Sequence, residues 1–513
     1  MKPRTTVILE GQPLDYRTLA RIGRGDVEVV AAPEALERVR RGRAALDAAI
    51  AAGVPVYGAN TGVGAMRDVT FTADELDAFN AGLVRAHHFG TGEPFAPEVV
   101  RKAIAIRINS ALAGRTGCTE TLVRGYLDLL NRSVVPIVHR TGSIGCADIG
   151  LMGQIGAVLI GVGEAMHGGR RLPAAEALAA AGLAPIRLRP KDGLAAVSSN
   201  AVGFAAAGHA LRRGAGALRT LMASAMANAT AMGASRAPWL AAEVVGTPVQ
   251  QVVARWLVHQ ATEANVAVDR VVHDPLSLRM MAQVFAAGVD ALTRAAETGL
   301  AMTALVDDNP VVDGECVLTS GGSLPLDITI ALQAAGLAFA HLARNSFNRC
   351  VLIGNGRRRD LPINLVAPDV PATGFGPIMK LAGELFARTL SLAQPISAQS
   401  LVVADGIEDE AAFLPLVVER FERQVEAVRR LAALESLLAA QALDLMGDRP
   451  GGLVSLVHEI VRRHSAFYRE DRPLSAEVEA IEQALSSPPV MRRLLEAAPL
   501  AEFDAFFSLD LGF

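Results

Sequence analysis

The residues from Gly193 to Gly233 read GLAAVSSNAVGFAAAGHALRRGAGALRTLMASAMANATAMG, and this stretch decides the fold class. Alanine is its commonest residue, no proline interrupts it, and alanine has the highest intrinsic helix propensity. Polar residues such as Asn200 and His209 lie inside the apolar pattern, which is typical of helices buried on several sides. Stretches of similar composition follow at 276–305, 326–349 and 376–393. The sequence therefore predicts a bundle of long helices in an obligate oligomer.

The rest of the chain is organised around this bundle. Residues 1–190 predict a loop-rich N-terminal domain with helices at 33–52, 73–88 and 96–113. Residues 191–409 hold the elongated central bundle. Residues 410–513 carry more charge and predict a helical cap with helices at 410–447, 452–464 and 475–497. The predicted fold class is mainly α.

Composition excludes several kinds of partner. Hydrophobic residues make up 51% of the chain and aromatic residues only 4%, so the core must be built from Ala, Leu and Val. The net charge of -4 provides no basic field for nucleic acid or anionic lipid. The N-terminal residues form no secretory signal, and the apolar stretches are broken before they reach the length of a membrane span. We expect a cytoplasmic protein with neither a nucleic-acid nor a membrane partner.

Cysteine, histidine and lysine usage also informs the chemistry. The four cysteines show no short paired spacing, and His87 and His88 have no carboxylate or cysteine partner in the sequence nearby, so no metal site is predicted. The lysines are Lys2, Lys102, Lys191 and Lys380, and every other basic residue is arginine. This bias indicates that a lysine is used here for its chemistry.

Eight short motifs occur in an order that resembles the aromatic amino acid ammonia-lyases, which include the histidine and phenylalanine ammonia-lyases. The first, Tyr57-Gly-Ala-Asn-Thr-Gly-Val-Gly64, is similar to the mobile tyrosine loop of that family. The others are His87-His-Phe-Gly-Thr-Gly-Glu-Pro94, Pro190-Lys-Asp-Gly-Leu-Ala195, Asp274-Pro-Leu-Ser-Leu-Arg279, Asp308-Asn-Pro310, Ser320-Gly-Gly322, Thr373-Gly-Phe375 and Ile407-Glu-Asp409. The resemblance implies the ammonia-lyase and fumarase-like fold, and a homotetramer with composite active sites.

One segment departs from the family pattern. In the family, an Ala-Ser-Gly tripeptide cyclises and dehydrates into a methylidene-imidazolone group, the electrophile that activates the substrate. Here Gly142-Ser-Ile-Gly145 is followed by Cys146, Ala147 and Asp148, without the serine or the glycine. We therefore expect no such group and no other cofactor. Asp148 is a candidate to fill part of the vacated space and to face a cationic leaving group.

The missing electrophile limits the possible substrates. An ordinary amino acid has a weakly acidic β-hydrogen and a poor leaving group, and an acid or base alone accelerates a reaction typically ~10²–10⁴-fold. A trimethylammonium group has no N–H proton to lose and departs as a neutral amine. The sequence therefore predicts 1,2-elimination of an amine from a small amino acid or betaine, best a histidine-derived betaine.

The resemblance implies three roles. Tyr57 takes the place of the β-proton base and needs a pKa lowered by a nearby cation. Arg279 takes the place of the carboxylate clamp, for which a planar guanidinium is suited. Glu408 takes the place of the acid that faces an imidazole ring. Lys380, near the start of a predicted helix, is a candidate to polarise a thione sulfur or to protonate the ring.

Further residues are predicted to line the substrate pocket. His87 takes the place of the family histidine, and the family asparagine falls on Ser198 or is displaced to Asn200. The glutamine and tyrosine before the arginine fall on His273 and Leu276. Asn309, at the turn before Pro310, is predicted to orient the substrate carboxylate.

Two alternatives remain open on the sequence. One is a non-catalytic or regulatory homologue that binds a ligand or pairs with an active paralogue. The other is an ammonia-lyase or aminomutase with an atypical electrophile. The joint presence of Tyr57, Arg279 and Glu408 favours catalysis, since a pure binder has no use for a base on a loop.

Overall fold

The protein is mainly helical, as predicted. A computed structural model describes residues 5–72, 74–268, 272–399 and 401–512. Its α-helices are α1 (Tyr16–Arg24), α2 (Pro33–Ala51), α3 (Leu76–Ala86), α4 (Pro97–Ala111), α5 (Glu120–Asn131), α6 (Ile149–Leu159), α7 (Ala174–Ala180), α8 (Asp192–Val197), α9 (Ala201–Ala231), α10 (Ala237–Val245), α11 (Pro248–Ala264), α12 (Leu276–Arg279), α13 (Met281–Met302), α14 (Leu326–Gly354), α15 (Met379–Leu392), α16 (Leu414–Leu445), α17 (Gly452–His464), α18 (Ser475–Ser486), α19 (Pro488–Ala497) and α20 (Ala501–Phe506).

The strands are short and form small sheets. They are β1 (Thr5–Leu9), β2 (Val27–Ala31), β3 (Thr91–Pro94), β4 (Val135–Pro136), β5 (His139–Thr141), β6 (Glu164–His167), β7 (Arg170–Pro173), β8 (Val311–Asp313) and β9 (Cys316–Leu318). β1 pairs with β2 in parallel, whereas the pairs β3–β5, β4–β6, β6–β7 and β8–β9 are antiparallel. These sheets brace loops and do not form a core of their own.

The chain divides into two compact units. The first comprises Met1–His209, Glu297–Ile330 and Pro395–Val418, and the second comprises Ala210–Ala296, Ala331–Gln394 and Glu419–Phe513. Each unit is assembled from stretches that are distant in sequence. The division into the consecutive blocks 1–190, 191–409 and 410–513 stays a prediction.

In the first unit, helices α4 and α6 supply much of the core. Ala103, Ile104, Ala105 and Ile108 of α4 are fully buried, and α4 packs against α1 and α5. Helix α6 is buried from Gly150 to Leu159, with Gln154 as its one polar residue, and it packs against α3 and α8. The start of α6 is therefore a rigid base for the segment 142–148 that precedes it.

The second unit combines apolar packing with a buried ion pair. Arg349 on α14 and Glu435 on α16 are fully buried, with 2.5 Å between Nε and Oε1, and Ser346 also donates to Glu435 at 2.7 Å. The C-terminal residues are held by α9, where Arg212 donates to the carbonyl groups of Phe507 and Ser508 at 2.9 and 2.7 Å. The last helices thus belong to the core of this unit.

Most predicted helices are confirmed, and the breaks have local causes. The helix predicted at 452–464 is Gly452–His464, but the one predicted at 475–497 is two helices that meet at Ser487. Ser487 is extended, with ψ at 144°, because Pro488 disfavours the helical conformation of the residue before it. Pro488 then starts α19, where its missing N–H has no helical partner to lose.

Two helical stretches have the composition of membrane spans, contrary to the sequence expectation. Asp192–Ala231 and Leu326–Gly354 are long and apolar enough, with 89% and 50% of their most apolar windows buried inside the protein. A core helix of a large helical protein passes the same test. The two stretches are therefore weak evidence for a membrane span.

Candidate active site

Tyr57 lies in a turn-rich loop, as predicted, between α2 and a short 3-10 turn at Gly64–Met66. The N–H of Gly64 donates to the phenolic oxygen of Tyr57 at 2.8 Å. The side chain of Asn60 bonds two backbone groups of the same loop, at 2.7 and 2.9 Å. Gly64 has a φ of 56°, which glycine adopts without strain. The loop is thus held closed by its own contacts, with Tyr57 half-buried inside it.

The surroundings of Tyr57 raise its pKa, so the expected lowering by a cation is wrong. Burial is the largest cause, the N–H of Gly64 opposes it, Glu408 and Cys146 raise the pKa further, and Arg67 lowers it. Burial disfavours the charged phenolate and outweighs Arg67. The same contributions show that Tyr57, Glu408 and Cys146 lie in one neighbourhood of the first unit.

Glu408 lies on a turn that packs against the tyrosine loop. Val403 and Glu408 form an antiparallel bridge, with N···O distances of 2.9 and 3.4 Å. The 3-10 turn between them, Ala404–Gly406, packs against Gly64–Met66. Glu408 is half-buried. The structure therefore brings together two of the three predicted catalytic side chains.

The segment 142–148 is fixed from several sides. The backbone N–H of Ala147 donates to the carbonyl oxygen of Ser323 at 3.1 Å, and the carbonyl of Ala147 accepts from the N–H of Ser199 at 2.9 Å. The thiol of Cys146 lies 3.4 Å from the hydroxyl of Ser323 and is half-buried. Burial is the main cause that raises the pKa of Cys146, so the thiol is neutral near pH 7.

Asp148 anchors this segment and does not face a ligand, which corrects the sequence hypothesis. Its side chain is 0% exposed, and its carboxylate accepts from the hydroxyl of Ser143 at 2.6 Å and from the N–H of Gly203 at 2.7 Å. A Cβ at position 203 would lie 2.7 Å from that carboxylate, so the contact requires glycine. Burial raises the pKa of Asp148 to about 6, with Ser143 and Gly203 opposing the shift.

The turn between α8 and α9 meets the segment 146–148. Ser198 is buried there, next to the Ser199 N–H that bonds Ala147. Asn200 donates through its side-chain amide to Asp307 at 3.2 Å and to the carbonyl of Ser323 at 2.8 Å. Burial raises the pKa of Asp307 to about 6. The predicted pocket residue Ser198 therefore lies beside the segment 146–148.

Sequence reasoning missed a fully buried charged group beneath this turn. Arg107 on α4 forms a bidentate pair with Asp308, both N···O distances being 2.9 Å. Lys191 donates to the carbonyl oxygen of Asn309 at 3.1 Å and lies 3.9 Å from Asp308. Burial lowers the pKa of Lys191 to about 8, with Asp308 opposing the shift. The scarcity of lysine indicates that a lysine has a particular role. The sequence analysis gave that role to Lys380, although Lys191 is the fully buried lysine.

Asn309 has a structural contact in this group. Its side-chain oxygen accepts from the N–H of Ser320 at 2.9 Å, which joins the 308–310 turn to the Ser320–Gly322 turn. A contact of Asn309 with the substrate carboxylate stays a prediction.

His87 and His88 follow α3 and differ in their surroundings. His87 bonds the carbonyl of Leu83 through Nδ1 at 2.8 Å, and its backbone lies against Gly153 on α6. The ring of His88 lies close to Gly163, away from that contact. His87 is therefore the histidine of the pair whose backbone adjoins α6.

Arg279 and His273 belong to the second unit. Arg279 ends α12, whose backbone is held by the indole of Trp239, which donates to Leu278 at 3.0 Å, and by Asn345, which donates to Ser277 at 3.1 Å. Within the described part of the chain, the guanidinium of Arg279 has no hydrogen-bond or ion-pair partner. His273 is exposed. The neighbours thus hold the backbone of α12, and no described residue neutralises the charge of the Arg279 guanidinium.

Lys380 also belongs to the second unit, at the second residue of α15. Its side chain is exposed and has no partner among residues 5–72, 74–268, 272–399 and 401–512. Lys102 and Lys191, in contrast, bond Glu98 and Asn309. Lys2 lies outside the described residues.

The described residues contain no group of three or more His, Cys, Asp or Glu side chains arranged to hold a metal ion. The four cysteines are free, with Cys118 and Cys350 buried and Cys316 exposed.

The long-helix fold and the site define a member of a lyase family. The profile described as aromatic amino acid lyase matches residues 14–463, and the chain belongs to this family. Its members include carbon–nitrogen lyases that act on small amino-acid-like substrates.

Named relatives at 28 to 33% identity include histidine ammonia-lyases and an ergothionase. Histidine ammonia-lyase from Anaeromyxobacter sp. strain K is 33% identical over 499 residues, which cover 93% of this chain and 97% of the relative. Histidine ammonia-lyase from Myxococcus xanthus is 29% identical over 506 residues, covering 96% and 99%. The crystal structure of ergothionase from Treponema denticola, in complex with desmethyl-ergothioneine sulfonic acid, has a TM-score of 0.90 at 28% identity and covers 95% of this chain and 99% of that one. The ammonia-lyase fold is therefore confirmed.

Proposed function

We propose that the protein is a carbon–nitrogen lyase that eliminates trimethylamine from a histidine-derived betaine without a methylidene-imidazolone group. Ergothioneine is the proposed substrate, and thiourocanate and trimethylamine are the products. The observation that carries this proposal is the sequence Cys146-Ala147-Asp148 at the position of the family tripeptide.

These three residues do not fit the prosthetic group. The exocyclic double bond of the ring forms when the central residue loses a β-substituent, and the methyl group of Ala147 has none to lose. The third position must bring its backbone nitrogen to the first carbonyl, but Asp148 is tied to Ser143 and Gly203 through its carboxylate. The proposed reaction therefore uses no step through this group.

A trimethylammonium substrate removes the need for an electrophile. Tyr57 takes the β-proton, the C–H electrons form the double bond, and the C–N bond breaks with its electrons on nitrogen, so that neutral trimethylamine leaves. A positioned base supplies roughly 3 to 5 kcal/mol of transition-state stabilisation, which is sufficient only when the leaving group is already good. The step requires the phenolate of Tyr57, so the phenol proton must first pass to solvent. The raised pKa makes that phenolate a stronger base but a minor species at neutral pH, so turnover should increase with pH.

The remaining side chains hold the substrate. Glu408 accepts the N–H of the imidazole-derived ring, Lys380 polarises its thione sulfur, and Arg279 binds the carboxylate. His87, Asn309, Ser198 and His273 line the pocket. Cys146, with its neutral thiol, contributes a small apolar surface in place of the ring.

We further propose a cytoplasmic homotetramer whose active sites combine residues of several subunits. This arrangement supplies Arg279, Lys380 and His273 to the neighbourhood of Tyr57 and Glu408. The expectation comes from the family resemblance, and it accounts for the unpaired charge of Arg279.

A second candidate is histidine ammonia-lyase activity, which the names of the relatives at 28 to 33% identity favour. Such an activity requires an electrophile in the segment 146–148. Intact-mass spectrometry separates the two candidates, because cyclisation with dehydration removes water. We expect the mass of the unmodified chain, and a deficit of water located in a peptide that contains 142–150 would overturn the proposal. The activity itself is tested by trimethylamine release from ergothioneine against ammonia release from histidine.

A further inference from the structure

The second unit contains a cavity whose lining includes none of the residues of the proposed active site. It has a volume of about 830 Å³ and is bounded by α11, α13 and the C-terminal residues 499–506. Cavities of this size that are lined mainly by apolar side chains are typical of small-molecule sites. Its apolar wall is formed by Val252, Trp256, Val289, Leu500, Phe503 and Phe506.

The cavity also contains an unsatisfied polar group. Gln260 on α11 lines the cavity and is 1% exposed, and neither its amide nitrogen nor its amide oxygen has a hydrogen-bond partner among the described residues. Leaving both atoms of a buried amide unpaired is unfavourable, and native structures rarely do so. The amide therefore leaves its N–H donors and its acceptor oxygen unused at a residue that lines the cavity.

The wall beside Gln260 is fixed before any ligand binds. Trp256 lies one helical turn before Gln260 on α11, and its indole N–H donates to the carbonyl of Ala498 at 3.0 Å. The guanidinium of Arg219 lies 5.3 Å from the Trp256 ring centroid and is 2.8 Å from Asp504 through Nε. The aromatic surface is thus preorganised, which reduces the entropic cost of binding.

Charged groups at the rim restrict the ligand further. Arg255 is exposed, lines the cavity and forms no ion pair within the described part of the chain. Of the two acids in the lining, Asp290 is paired with Arg294 at 2.8 Å, whereas Glu502 has no such partner there. One available cation beside one available carboxylate favours a ligand with a single negative charge over a phosphate ester with two.

The geometry points to a second ligand site in this cavity, specific for a planar heteroaromatic monocarboxylate. The ring packs against Trp256, its donor–acceptor edge pairs with the amide of Gln260, and the carboxylate binds Arg255. This inference does not depend on the proposed function, since it uses none of the residues of that site.

The test compares two planar aryl-acrylates that differ in their ring. Imidazole-acrylate has ring nitrogens that can pair with Gln260, and phenyl-acrylate does not. Isothermal titration calorimetry of the purified protein should show binding of imidazole-acrylate with a second site beyond any active-site binding. Gln260→Leu should weaken that site for imidazole-acrylate roughly tenfold and leave phenyl-acrylate equal or tighter, since about one net hydrogen bond is lost. Trp256 fluorescence should report the same titration.

Two further variants keep the test decisive. Gln251→Leu makes the same change on α11 outside the cavity and should bind both acrylates as the wild type does. Arg255→Gln, at an exposed position without an ion pair in the described part of the chain, should weaken both acrylates. Unchanged imidazole-acrylate affinity in both Gln260→Leu and Arg255→Gln would overturn the inference. It would equally be overturned if neither acrylate bound at a second site. A changed oligomeric state of Gln260→Leu would then show that a second copy of the chain covers the cavity.

Discussion

The phenolic oxygen of Tyr57 accepts a hydrogen bond from the backbone N–H of Gly64 across 2.8 Å, within the same glycine-flanked loop. A donor at this oxygen stabilises the phenolate more than the neutral phenol, so it partly offsets the effect of burial on the pKa. The loop thereby supplies part of the stabilisation that a cation was expected to supply.

Removal of this hydroxyl should abolish turnover. Tyr57→Phe deletes the proposed base and should lower kcat by ~10²–10⁴ or more, while the oligomer remains intact by size-exclusion chromatography. Tyr126→Phe, which deletes the hydroxyl of another buried tyrosine, is the matched control and should retain turnover. Near-normal kcat in Tyr57→Phe would exclude Tyr57 as the base.

Arg279 should act mainly on substrate binding. Arg279→Lys keeps the charge but loses the planar fork, so KM should rise roughly tenfold with a smaller change in kcat. Steady-state kinetics give both values. Arg423→Lys, an exposed arginine on α16, serves as the control. Equal KM values in the two variants would remove Arg279 from the site.

Lys380 should matter most when the substrate carries sulfur. Lys380→Met should reduce kcat/KM for ergothioneine roughly tenfold, since a charge-assisted contact is lost. Hercynine, which lacks the sulfur, should be affected less. Arg388→Met changes an exposed cation on the same helix and should leave both substrates unaffected. An equal loss of kcat/KM for ergothioneine and hercynine would show that Lys380 makes no specific contact with the sulfur.

Asp148 predicts a pH dependence of stability with a defined sign. Its pKa is about 6 in the folded protein, above the ordinary value of a carboxyl group, because it is buried. The folded state therefore holds this proton more tightly than the unfolded state, and the free energy of unfolding falls as pH rises from about 4 to about 6. Over this window the loss is about 3 kcal/mol.

The variant Asp148→Asn lacks this titration. Its thermal midpoint should therefore rise relative to that of the wild type as the pH increases through this window, and the difference should be constant above it. Asp307 titrates in both proteins, so its contribution largely cancels when the thermal midpoint of one protein is subtracted from that of the other. Parallel profiles for the two proteins would show that Asp148 does not titrate in this range.

The sequence predicted the helices well because their signals are local. Pro33 at the start of α2, Gly53 after its end, and the uninterrupted alanine pattern of α9 each specify the backbone within a few residues. The break at Ser487 was missed, although Pro488 is a local signal for it.

The chemistry of the site was harder to predict because it depends on contacts between distant residues. Arg107 and Asp308 are 201 positions apart, and nothing near either residue indicates that they form a buried pair. Asp148 was predicted to face a ligand, but its carboxylate is buried against the backbone N–H of Gly203. Gly203 lies 55 positions away, so the residues next to Asp148 do not indicate this burial. The pKa of Tyr57 was predicted in the wrong direction because burial of the loop is not visible in its composition.

The most direct test of the account is incubation of the purified protein with ergothioneine, hercynine and histidine in separate reactions. Absorbance of the conjugated acrylate and release of trimethylamine or ammonia are followed together. We expect trimethylamine and thiourocanate from ergothioneine, and no ammonia from histidine. Ammonia from histidine at a rate above that of trimethylamine release would contradict this expectation and would require an electrophile in residues 142–150.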